Sequence, residues 1–338
     1  MLYPDLSCAL AMWRLETHPE RILNNNPTTN DLSDCPKSIG EFKSQEAALP
    51  KELPRHYMVP STYRRFVTSR AEFTVCSLSL PKNSFIEISE DYCVARPELV
   101  FIQFARYLEL PLLIKLGCEL CGYYSQLDDE NGDPLTRSAP LMTVASLRRF
   151  IAQIPCYYGI KKARRALPYL LEGSASVRET EMALLMSLPL LLGGYGLPKP
   201  SMNYKIPFDR TALFISGASC AYADLCWPKS KLDVEYESDL HHSDAAELRR
   251  DRSRASAIQH MGYTVIPVTR AQYDDPEYFE SLVKDIAKII GARLRGPSAR
   301  TLAVRPDLRA LFEEQRYPGE VFCSELAPPD DSRKSEST

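Results

Sequence analysis

The chain has 338 residues, 44% hydrophobic and 25% charged, a balance that suits a globular protein and excludes a collagen-like or wholly disordered one. Its net charge of −3 excludes a generally basic protein, so any contact with nucleic acid must come from a local patch. Ten scattered cysteines give no disulfide framework, and 26 prolines against 14 glycines point to stiff connections.

In chain order, residues 1–23 read as a short helix with Leu6, Leu10 and Trp13 as its apolar stripe. No cationic segment precedes the apolar run around Cys8–Trp13, so no signal peptide is expected. The most apolar stretch, LLMSLPLLLGGYGL, is broken by Pro189 and too short to span a bilayer. The expectation is a cytoplasmic protein with no membrane contact. Residues 24–54 are polar, punctuated by proline and without period, which reads as a flexible linker.

An α+β domain is expected over residues 55–172. HYMVPS, FTVCSLSL and FIEISEDYCVA have the pattern of short strands. Pro97 then opens a helical stretch that Pro111 breaks in two. Cys118 and Cys121 form a CxxC without a second pair or a nearby histidine, so they read as core thiols rather than a metal or redox site. DDENGDP has the composition of half a calcium loop but not its ligand spacing, and reads as a surface loop. From Thr143 to Leu171 the pattern is helical and basic. Arg148, Arg149, Lys161, Lys162, Arg164 and Arg165 gather there around Tyr157 and Tyr158. That is the best candidate for a nucleic-acid-contacting surface; the alternative is a solvated helix face.

Residues 173–297 read as a second, α/β domain of order α-β-β-β-α-β-α on a mixed sheet, and 298–338 as an extension with a disordered tail. The elements are a helix over Ser176–Leu192, strands in TALFISG, CAYADLCW and KLDVEYE, a helix over Ser243–Met261 and the strand YTVIPVT. A helix over Pro276–Leu294 closes the order. In the second and third strands, a Trp227-Pro228-Lys229-Ser230 turn joins a segment carrying Asp224 to one that alternates. Leu232, Val234 and Tyr236 point one way, and Asp233, Glu235 and Glu237 the other. A connection of two or four residues puts Asp224 on the acid face, opposite Asp233 and diagonal to Glu235. Packing gives no reason for facing acids, whereas a divalent cation with a preference for hard oxygen ligands would. The alternative is a sheet with one solvated, acidic face.

RETEMALL, GLPKP, YADLCW, LDVEYESDLHH and DRSRASAIQHMGYTVIPVT, in that order over residues 174–295, resemble the endonuclease-like domains related to very-short-patch repair endonucleases. These belong to the PD-(D/E)XK superfamily, with its restriction-endonuclease-like fold. RHYMVPSTYRRF, SLPKNSFIEI, ARPELVFIQFA and ELCGYY in the first half resemble AbiEi-type antitoxins, a family implicated in repression and toxin neutralisation. The first resemblance implies that Asp224, Glu235 and Glu179 (or Glu181 in its place) hold Mg²⁺ or Mn²⁺. Glu237 stands where the superfamily has a lysine or the relatives a second acid, and His241 or His242 would move a proton or hold a phosphate. Adjacent histidines at a strand end also read as exposed turn residues. Asp251 and Arg254 read as a structural i,i+3 pair.

Two readings follow. One is a metal-dependent DNA endonuclease, in which bound cations polarise the phosphate and activate water. The other is a non-catalytic, antitoxin-like regulator on a degenerate nuclease fold that binds DNA or a cognate toxin. The E-x-K lysine is absent, and Glu237-Ser238 replaces the usual D-G, which leaves hydrolysis open. The regulator reading expects the acids splayed apart or paired off by Arg249, Arg250 or Arg254. Nothing in the sequence reads a 2′-OH, so RNA also remains a possible target.

Overall fold

The structure is a computed structural model that describes residues 1–128, 134–237, 245–296 and 298–314. The described chain is mixed α/β with several separate sheets and divides into two compact units. The first comprises Met1–Leu110, Ser146–Arg165 and the described residues from Phe312; the second comprises Pro111–Ala145 and Ala166–Leu311.

The first unit opens with helices α1 (Leu6–Leu15) and α2 (Pro19–Asn25), followed by the short strand β1 (Thr28–Thr29) and helix α3 (Ile39–Glu46). Strands β2 (His56–Val59) and β3 (Glu72–Val75) pair in parallel, and β4 (Phe85–Glu87) lies between β1 and β5 (Cys93–Ala95). Helix α4 (Pro97–Phe104) follows. Residues 24–54 are not a flexible linker. Leu32, Cys35, Phe42, Leu49 and Leu53 are all buried, and Phe42 packs with Leu2, Leu49 and Tyr57. Phe42 also stands 5.5 Å, centroid to centroid, from each of the rings of Tyr57, Phe66 and Phe73. Each anchor is isolated among polar residues, so no period betrays it. The local signal is Ser38-x-x-Glu41. Ser38 Oγ accepts the Glu41 N–H at 3.2 Å, and the Glu41 carboxylate accepts the Lys37 N–H at 2.7 Å.

Under α1 lies a buried polar cluster. Gln103 Nε2 donates to Asp5 Oδ2 at 3.0 Å, and His56 Nε2 stands 2.9 Å from Thr74 Oγ1. Burial pushes Asp5 up to about 8 and His56 down to about 4. The two side chains, 3.9 Å apart, are therefore both neutral at pH 7 rather than an ion pair. Glu72, 3.9 Å from His56, the buried thiols of Cys8 and Cys76 and the phenols of Tyr107 and Tyr157 are titratable neighbours of the cluster. Folded Asp5 retains a proton that the unfolded chain releases, so its contribution favours the fold at low pH and is lost as pH rises towards 8. His56 acts with the opposite sign between pH 4 and 6.5, because unfolding allows it to protonate. The expected profile for this unit is level up to about pH 6.5, then falls by about 1.4 kcal/mol per pH unit to pH 8. Asp5→Asn should abolish the fall above pH 6.5 and uncover the rise between pH 4 and 6.5 that His56 contributes. Urea titrations read by Trp13, buried on the inner face of α1 with its Nε1 donating to the Ala95 carbonyl, would record the difference.

In the second unit, α5 (Leu110–Leu120) leads to the hairpin β6 (Tyr124–Asp128) and β7 (Pro134–Thr136). The DDENGDP loop falls on residues 129–133, outside the described residues. Cys118 is a core thiol as expected: it is buried, accepts the Leu171 N–H at 3.2 Å and is pushed up to about 12 by desolvation. No disulfide joins the cysteines of the described residues.

Helices α6 (Val144–Ala152) and α7 (Ile160–Ala166) then precede α8 (Val177–Ser187). After α8 come β8 (Ser201–Pro207), α9 (Arg210–Ser216), β9 (Cys220–Trp227), β10 (Leu232–Glu237), α10 (Ala245–His260), β11 (Thr264–Thr269), α11 (Arg270–Asp274), α12 (Pro276–Ile289) and α13 (Ala299–Glu314). The sheet order is β11-β10-β9-β8. β9 runs antiparallel to both neighbours, and β10 and β11, joined through α10, are parallel. The sheet is therefore mixed.

TALFISG is a helix and not a strand; the strand is the preceding SMNYKIP. Asp209 caps α9 by accepting the Ala212 N–H at 2.8 Å, and Gly217 at φ +73 closes it by donating to the Leu213 carbonyl. These two caps overrule the β propensity between them. The extension after 297 is helical over Ala299–Glu314, with Leu308 and Phe312 buried, while the expected disordered tail lies outside the described residues.

Candidate acidic site and basic face

The acidic site lies within the second unit and begins with a helix cap. Ser176 Oγ accepts the Glu179 N–H at 3.1 Å, and the Glu179 carboxylate accepts the Ala175 N–H at 3.0 Å, so Glu179 is fixed in the first turn of α8. Burial pushes its carboxyl up, against the opposing effect of those hydrogen bonds. Glu181 has a different task. It is buried with Lys115 Nζ at 2.7 Å and Arg178 at 3.4 Å. Of the two helix acids, it is Glu179 whose charge acts on Asp224.

The turn between β9 and β10 sets the register. Pro228–Ser230 form one 3₁₀ turn and Lys231 adopts φ +47, so four residues separate Trp227 from its partner Leu232. Asp233 therefore faces Cys226, and the same register continued sets Asp224 opposite Glu235. Asp224 shares the acid face, as its sequence suggests, but its direct partner is Glu235 and not Asp233. Asp224 Oδ2 accepts the Tyr236 N–H at 2.9 Å. Burial, then the charges of Glu179 and Glu235, push Asp224 up to about 7.

Asp233 is fully buried, and neither carboxyl oxygen accepts a hydrogen bond. Burial and the neighbouring Glu235 push it up to about 9. At neutral pH the Asp233 carboxyl keeps its proton. Glu237 is exposed at the end of the strand, in register with Thr269 of β11. His241 and His242 lie outside the described residues.

Arg254 of α10 completes the site. Its Nη1 and Nη2 meet Glu235 Oε2 and Oε1 at 3.1 and 2.7 Å. Arg254 is thus not paired with Asp251, which is exposed. Arg249 and Arg250 are exposed as well. The sequence gives Asp233 no ligand role, although the alternation Asp233-x-Glu235 signals it. An acid paired off by Arg254 is what the regulator reading expects, and the packing of α10 on the sheet selects Arg254 over Arg249 and Arg250.

Among the described residues, no three His, Cys, Asp or Glu side chains stand in an arrangement that would hold a metal ion as they are placed. The chemistry of the set nevertheless suits a hard cation. All its donors are carboxylate oxygens, neither oxygen of the buried Asp233 accepts a hydrogen bond, and burial, reinforced by the neighbouring acids, raises Asp224 and Asp233.

In the first unit, Arg148, Arg149, Lys161, Arg164 and Arg165 are exposed on α6 and α7, and no Asp or Glu occurs from Pro134 to Leu171. Lys162 is half-buried, with Nζ on the Leu108 carbonyl at 2.7 Å, and Arg164 donates to the Ile154 carbonyl at 3.1 Å. The Arg106 guanidinium lies 5.0 Å from the centre of the exposed Tyr158 ring.

The second unit is thus a mixed α/β domain carrying buried acids on its sheet. The chain is similar to two uncharacterized proteins of Mycobacterium tuberculosis, one from strain CDC 1551 and one from strain H37Rv. Each is 33% identical over 110 residues. The match spans 32% of this chain and 36% of the length of each relative. No family model matches the chain, and no solved structure matches it. No helix among the described residues is long and apolar enough to cross a membrane.

Proposed function

We propose that the second unit is a metal-dependent DNA endonuclease domain of restriction-endonuclease-like architecture. The observation that carries this reading is the cross-strand pairing of Asp224 on β9 with Glu235 on β10, where the charge of Glu179 from α8 also acts on Asp224. A helix, an antiparallel three-stranded run and a crossover helix into a parallel fourth strand fit that architecture. Asp224 and Glu235 would hold Mg²⁺ or Mn²⁺, with Glu179 beside them. When bound, the cation would polarise the phosphodiester and make water a better nucleophile. The chain's own residues orient and receive protons. The Tyr236 N–H fixes the Asp224 carboxylate, and Ala175 and Ser176 hold Glu179. Glu179, raised by burial, is the proton acceptor best placed on the helix side. The exposed basic face of the first unit would contact the DNA backbone.

The test is cleavage of supercoiled plasmid by the full chain with Mg²⁺ or Mn²⁺, beside Asp224→Ala and Glu235→Ala. Nicking or linearisation by wild type and by neither variant supports the nuclease. A second reading has its own observation. Arg254 occupies both oxygens of Glu235, as a non-catalytic, antitoxin-like regulator that binds DNA or a toxin would permit. Equal inertness of all three proteins, with salt-sensitive DNA binding retained, would favour that regulator.

A further inference from the structure

The grip of Arg254 on Glu235 has a geometry that suits exchange as well as inhibition. The guanidinium meets Glu235 in a two-point fork at 2.7 and 3.1 Å, and Nη2 also donates to the Tyr222 carbonyl at 2.5 Å. A planar fork of this kind fits a phosphate as well as it fits a carboxylate. The Arg254 side chain is 39% exposed and Glu235 18%, so the arginine can change partner without dragging a charge through the core. Position 237, at the end of the same strand, offers an exposed glutamate and no cation.

We infer, resting on the nuclease reading, that Arg254 is a phosphate-binding residue parked on Glu235, and that it exchanges the carboxylate for a backbone phosphate of bound DNA. The parked guanidinium and a divalent cation then compete for the same two oxygens. Phosphate binding frees Glu235 for the cation, and a cation on Glu235 frees Arg254 for phosphate. By linkage, DNA and cation strengthen each other's binding by the same factor. Arg254 would also supply, from the helix, the positive charge that the strand lacks.

The experiment is calorimetric titration of Mn²⁺ into the full chain, comparing wild type with Arg254→Ala and Arg254→Lys. It is paired with binding of a short DNA duplex in Ca²⁺ at several salt concentrations. Arg254→Ala is expected to bind Mn²⁺ about tenfold more tightly than wild type, because its competitor is gone. The same variant should bind duplex more weakly, with a salt slope lower by about one. Arg254→Lys, which keeps the charge but not the fork, should fall between the two. Near-ultraviolet circular dichroism checks the fold, and if Arg254→Ala unfolds, Arg254→Gln takes its place in both titrations. Wild type that binds Mn²⁺ as tightly as Arg254→Ala, or more tightly, would overturn the exchange and leave the nuclease reading standing. Absence of Mn²⁺ binding in every protein would overturn both.

Discussion

Replacing Glu181 with alanine is expected to lower the stability of the second unit by about 3–5 kcal/mol, among the largest losses from any single side chain here. The reason is an asymmetry of buried charge. Lys115 is buried in α5, and the Glu181 carboxylate 2.7 Å away is its strong counter-charge. Arg178, 3.4 Å from the other carboxylate oxygen, is 18% exposed and can turn towards water; Lys115, 2% exposed, cannot. Removing the acid therefore leaves an ammonium in a low-dielectric interior. The whole pair is less valuable than its breakage suggests, since each ion lost its hydration on folding. Hence Lys115→Met together with Glu181→Gln should recover most of the loss. The two tryptophans make the measurement clean. Trp13 lies in the first unit and Trp227 in the second, so in a Trp13→Phe background urea unfolding followed by fluorescence reports on the second unit alone. A midpoint in Glu181→Ala unchanged from wild type would mean that the remaining contacts of Lys115 suffice and that the pair is not a structural post.

The same helix shows what was readable in advance. Glu179 and Glu181 lie two residues apart in RETEMALL, and sequence alone could not rank them for the site. Spacing of two puts them on different faces of α8, but which face meets the strand depends on packing. Lys115, 66 residues upstream, claims one of them. Elements with strong local signals were legible. The alternation of LDVEYE reproduces β10 to the residue, Pro228 marks the turn, and the α4–α5 break falls beside Pro111. Register was not legible, because the loop length could be read as two or four residues, and the pairing of Asp224 hangs on that count. TALFISG misled because a capped, seven-residue helix and a strand have similar composition. Residues 24–54 misled for the opposite reason: their buried anchors are real but aperiodic. For Arg254 the sequence offers two partners, Asp251 at i,i+3 or a site acid under the regulator reading, and the structure takes the second, Glu235, 19 residues away.

Asp224→Asn should uncouple activity from stability in opposite directions, the signature of a residue retained for chemistry. In the plasmid assay, cleavage is expected to fall by about 10³-fold or more, since the amide keeps the shape but surrenders a charge that holds the cation. Stability should rise. Asp224 is pushed up to about 7 by burial and by Glu179 and Glu235, against 3.8 in the unfolded chain. A folded value above the unfolded one means that this group favours the fold below pH 4 and progressively opposes it as pH rises to 7. Asparagine removes that opposition while its carbonyl oxygen still accepts the Tyr236 N–H. The gain at pH 8 without divalent cation should be on the order of 1–3 kcal/mol. Saturating Mg²⁺ should close the gap by stabilising wild type alone, because a ligand of the folded state shifts unfolding by mass action. Urea midpoints of both proteins at pH 5 and pH 8, with and without Mg²⁺, decide the matter. A gain that is largest at pH 8, shrinks by more than half at pH 5 and is cancelled by Mg²⁺ identifies Asp224 as a cation ligand held at a cost. A variant that is less stable at every pH and indifferent to Mg²⁺ would make Asp224 a structural acid, and the nuclease reading would lose its central residue.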